Sequence, residues 1–92
     1  MALNKQVSDE DIIINRIKVI RGHLAGVEKM ILNQKPPQDI LTQLSAIRAA
    51  MHKVAVLEAQ QYLEFVMNEQ SAAKPDLNDA INKLMDLKLA AL

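Results

Sequence analysis

Few residues in this chain could do chemistry, and most of those are cationic. One grouping is Arg16, Lys18 and Arg21 followed by His23; the other is Arg48 with His52 and Lys53. Lysines and arginines gathered on helices suit phosphate neutralisation, each contact adding about 0.9 to the salt slope of duplex binding. No aromatic residue stands beside either grouping. That disfavours stacking on single-stranded bases and makes duplex DNA the better target. Taken alone, these residues fit an ordinary solvated surface about as well. His23 and His52 are the only histidines, and two imidazoles without a helical His or Cys partner make a weak metal signal. The plainer reading is polar surface residues or DNA-facing donors. Glu58 lies in an apolar arc one turn before Tyr62, where it is either paired across a subunit interface or wet. The wet reading is preferred.

Other chemistries are closed off. The chain has no cysteine, which removes disulfides, thiolate nucleophiles, thiol redox sensing and thiolate metal sites. There is no Gly-rich phosphate loop, no supported nucleophile–base arrangement and no carboxylate pair in a plausible cleft, so no enzyme and no cofactor are expected. The five methionines fall at helical spacing or at chain ends and read as packing. No apolar run approaches the ~20 residues of a membrane span and no leader pattern is present. The expected compartment is the cytoplasm, with no membrane partner.

Formal net charge is zero, but unevenly spread. From Asp11 to Lys53 there are seven Lys/Arg against three acids; from Val54 onward there are three Lys against six acids. Such asymmetry can mark a nucleic-acid face whose charge is offset elsewhere.

These groups must be positioned by helices. Only Tyr62 and Phe65 are aromatic, glycine occurs only at Gly22 and Gly26, and proline only at Pro36, Pro37 and Pro75. The pattern predicts an all-α fold and one helical domain over 1–92, with helices at about 8–34, 37–70 and 76–90. Ser8 is the expected N-cap, with Asp9, Glu10 and Asp11 in the first turn. Lys35-Pro36-Pro37 must end the first helix. If the first two helices pair antiparallel, residues near 20 face residues near 50 and the two basic groupings merge.

The second helix would be roughly 50 Å long, against a radius of gyration of about 13 Å for a compact domain of this size. Its stripe of Ile40, Leu44, Ile47, Met51, Val54, Tyr62 and Phe65 has too little chain to cover it. Another copy must do so, and two helical hairpins would pair as a four-helix bundle.

The stretch Arg16-Ile17-Lys18-Val19-Ile20-Arg21-Gly22-His23 is similar to the first-helix motif of the CsoR/RcnR family, usually a basic run and then Ile-x-Gly-Gln. Val19 and His23 depart from that pattern. Asp39-Ile40-Leu41-Thr42-Gln43-Leu44-Ser45-Ala46-Ile47-Arg48-Ala49-Ala50 resembles the family's second-helix signature. The likeness covers roughly residues 10–90. It implies a tetramer built from dimers, acting as a repressor that binds operator DNA and releases it when a metal ion, formaldehyde or a persulfide is sensed. Matching by position, Arg16, Lys18, Arg21, Arg48 and Lys53 inherit the DNA-contact role. The sensing ligands do not carry over. The family's cysteine corresponds to Pro37, its central histidine to Tyr62 and its next ligand to Val66, so no metal ligands are expected. The resemblance therefore implies either a different small-molecule effector, in a cavity around Tyr62 with Pro37, Glu58 and Val66 as further candidates, or none. Two rivals remain: a helical oligomeric interaction protein that has lost DNA binding, and a metal sensor using His23, His52 and carboxylates.

Overall fold

A computed structural model describes residues 8–68 and 77–87 as three helices: α1 (Asp9–Leu32), α2 (Pro37–Asn68) and α3 (Leu77–Asp86). No strand occurs among the described residues, and the all-α, short–long–short order is as the sequence implies. Each end has a local cause. Ser8 sits in extended backbone and its hydroxyl accepts a 3.1 Å hydrogen bond from the Asp11 amide, with three carboxylates in the turn that follows. The other end of α1 closes two residues before the sequence-predicted limit. Gln34 adopts φ 56°, its amide donating to the Ile31 carbonyl at 3.0 Å, and the Lys35 amide donates to Met30 at 2.9 Å. This pair of bonds is a Schellman closure, formed with glutamine where glycine is usual. Pro37 opens α2, where a missing N–H does no harm, and the Pro36 carbonyl accepts from the Asp39 and Ile40 amides. The sequence-predicted helical residues 69, 70, 76 and 88–90 lie outside the described residues; Leu87 is a turn.

α1 and α2 form an antiparallel hairpin whose buried centre is Ile20, Val27 and Ile47, with Ile40, Ala50 and Val54 packed against it. Residue 20 therefore meets residues 47–50, the register the sequence implies. α3 packs on α2 and buries Ala80. No polar or charged side chain is buried among the described residues.

Each long helix carries two apolar seams with seven-residue spacing, and the hairpin covers only one of them. On α1, Ile13, Ile20 and Val27 are 8%, 6% and 6% exposed, whereas Ile17, Leu24 and Ile31 are 46%, 46% and 58% exposed. On α2, Ile40, Ile47 and Val54 turn inward, while Leu44, Met51 and Phe65 stay exposed with Glu58 in line between the last two. The shortest dimension of the chain is 14 Å, about one helix diameter.

Candidate nucleic-acid interface and effector cavity

All five sequence-predicted cations, Arg16, Lys18, Arg21, Arg48 and Lys53, are exposed. The hairpin brings some of them together. Arg16 of α1 and Lys53 of α2 line one crevice of about 240 Å³, joined by the half-buried His52 and by Gln60 over a floor of Val56 and Leu57. Such a concavity, with two cations and an amide at its rim, presents donors that can converge on one anion. The remaining three cations lie elsewhere on the subunit. At ~100° per residue, Lys18 and Arg21 are about 160° and 140° around α1 from Arg16, and Arg48 is about 140° around α2 from Lys53. One subunit therefore divides the sequence-predicted patch into a crevice pair and a set of cations on other faces.

His23 and His52 are not a pair within the subunit. His52 lies beside Arg16, and His23 is about 10 Å further along α1. Among the described residues no group of three or more His, Cys, Asp or Glu side chains could hold a metal ion. A cavity of about 370 Å³ between the start of α1 and α2 has Asp9 and Glu64 at its rim, but its walls are Ile12, Ile13, Leu57 and Leu63 and it has no imidazole. The chain has no cysteine to offer a soft metal such as Cu(I) a thiolate.

The four effector-cavity candidates also separate. Glu58 and Tyr62 line a cavity of about 350 Å³ between α2 and α3, with Ala55 and Ala59 from α2 and Lys83, Leu84 and Leu87 from α3. Val66 is 1% exposed and is not part of that wall. Pro37 is exposed at the first residue of α2, about 38 Å from Tyr62 along the helix. It can approach Tyr62 only from another copy. Two polar contributors escaped the sequence analysis. Gln60 joins the basic crevice through helix phase, which the sequence carries. Lys83 reaches the cavity through the docking of α3 on α2, which no local pattern carries.

Residues 9–88 match a family model described as metal-sensitive transcriptional repressor. The chain is 32% identical over 84 residues to the copper-sensing transcriptional repressor CsoR of Bacillus subtilis (strain 168), covering 91% of this chain and 82% of that protein. Proteins of the same description from Mycobacterium bovis (strain BCG / Pasteur 1173P2) and Mycobacterium tuberculosis (strain ATCC 25618 / H37Rv) are 29% identical over 51 residues, 55% of this chain and 43% of theirs. No solved structure matches the chain.

Proposed function

Because the chain belongs to the CsoR/RcnR family of metal-sensitive transcriptional repressors, and is a repressor rather than an enzyme, we propose that it binds duplex operator DNA as a homo-oligomer, a dimer of hairpins assembling into a tetramer in the cytoplasm. The observation that carries this is the crevice in which Arg16 and Lys53 converge across the hairpin. Repetition of that crevice by symmetry sets several phosphate contacts at fixed spacing.

The uncovered seams support the oligomer. Ile17, Leu24 and Ile31 on α1 and Leu44, Met51 and Phe65 on α2 are large side chains left wet in a single subunit. A second hairpin offers complementary seams with the seven-residue repeat that helix-into-helix packing needs.

In this reading copper sensing through a thiolate does not extend to this chain. A chain without cysteine lacks the thiolates such a site needs, so its switch, where it has one, answers to another ligand. Any such ligand must prefer one quaternary arrangement, since only differential binding shifts a population.

The test is operator affinity of the purified protein against salt concentration. Arg16→Ala with Lys53→Ala is expected to lower the salt slope by about 2 for each subunit contacting DNA and to weaken binding about a hundredfold, with the oligomer unchanged. Equal affinity and slope in wild type and double variant would remove the crevice from the interface.

A further inference from the structure

The hairpin has two sides, and helix phase assigns its charges to them. On α1 the exposed Ile17, Leu24 and Ile31 follow the buried Ile13, Ile20 and Val27 by four residues; on α2 Leu44 and Met51 follow Ile40 and Ile47 by the same step. At ~100° per residue, four residues turn a side chain by about 40° in one sense and three residues by about 60° in the other. Because α1 and α2 run antiparallel, equal turns about opposed axes bring both exposed seams to the same side of the hairpin. In the basic crevice, Arg16 follows Ile13 and Leu57 follows Val54 by three residues, so the crevice opens on the opposite side. Arg21, Glu28 and Arg48 each follow an inner-seam residue by one position, and Glu58 follows Val54 by four. All four are exposed, and all four turn to the side of the seams. Ile14 and Leu41, 45% and 64% exposed, turn the same way.

The make-up of that side decides what it can meet. Phosphate neutralisation needs an excess of cations. Here two arginines stand against Glu28 and Glu58, with Glu10 in line at the start of α1, so the excess is missing. Large apolar side chains lie among these charges, at the seven-residue spacing that fits another helix of the same repeat. A face with both signs of charge around an apolar stripe is complementary to itself. We propose that a second copy of the chain occupies this side, with Arg21 and Arg48 directed to glutamates of that copy and not to phosphates. The inference rests on the homo-oligomer reading above and deepens it, by dividing the cations into those that serve assembly and those that serve DNA. In a two-fold arrangement each approach of arginine to glutamate occurs twice. Charges beside an apolar seam chiefly fix register and partner choice.

Charge exchange in the full-length chain is the test. Arg21→Glu with Arg48→Glu sets carboxylates against carboxylates, and should raise the dissociation constant of the oligomer at least about tenfold in sedimentation. Adding Glu28→Arg and Glu58→Arg reverses the sign at all four positions and restores every attraction; assembly should then return to within about threefold of wild type. Recovery in the fourfold variant separates lost attraction from a damaged fold, because further substitutions do not repair damage. On duplex DNA the fourfold variant should keep the wild-type salt slope. A slope lowered by about 2 or more for each subunit in contact would return both arginines to phosphate and overturn the assignment. It is overturned equally if the reversed pair assembles as tightly as wild type, or if the fourfold variant fails to recover. A wild-type protein that assembles but binds no duplex would remove the repressor reading and leave these assembly results standing. A monomeric wild type that binds DNA would do the opposite.

Discussion

The inner and outer seams of α1 are written in nearly the same residues and meet opposite fates. Ile13, Ile20 and Val27 disappear against α2; Ile17, Leu24 and Ile31, each four residues further on, face water. The difference is not hydrophobicity, since the outer set is as apolar as the inner one. It is supply: α2 presents one covering seam to α1, and α3, with ten residues in its helix, packs mainly against α2. A helix of this size buries what its own chain can reach and leaves the remainder exposed in the single subunit.

Several experiments can break or sharpen that contrast. The largest expected effect is on the outer seam: Ile17→Glu with Leu24→Glu places carboxylates in the proposed interface, so sedimentation should report complete loss of the oligomer at micromolar concentration. An oligomer that survives this pair would show that the outer seam is not the contact. On the inner seam, Ile47→Ala should cost about 2–4 kcal/mol by denaturant unfolding, through lost burial and the cavity left behind. Unlike the outer-seam variant, it should lower stability without first dissociating the protein. The smallest effect is expected at Gly22, where an added Cβ meets nothing within 4 Å in the subunit. Gly22→Ala should therefore stabilise by about 0.5–1 kcal/mol, read as a rise in Tm. A loss of oligomer in that variant would show that this face of α1 is also an interface.

The legibility of the molecule differs by region. Helix ends were readable because their causes are local: the Ser8 cap, the first-turn carboxylates and the paired prolines each act within a few residues. α1 closes at Leu32, just ahead of the limit near 34 that the sequence implies, and the left-handed Gln34 that closes it carries no glycine to announce it. The register of the hairpin was readable from the short connection at 33–36, which leaves residue 20 little choice but to meet residues near 50. Which of the cations share a crevice was not readable from the sequence. The residues were named, yet the phase of each helix sends Lys18, Arg21 and Arg48 away from the crevice that Arg16 shares with Lys53.

Composition and periodicity alone settle that the protein is helical, that thiol chemistry is closed to it, and that it carries more apolar stripe than one subunit can hide. These follow from residue type and spacing, which act over one or two turns of chain. The tertiary structure decides which stripe is hidden, which cations converge, and that Lys83 comes to stand near Glu58 and Tyr62. Those outcomes depend on how one helix docks on another, a matter of long-range packing that no local pattern encodes.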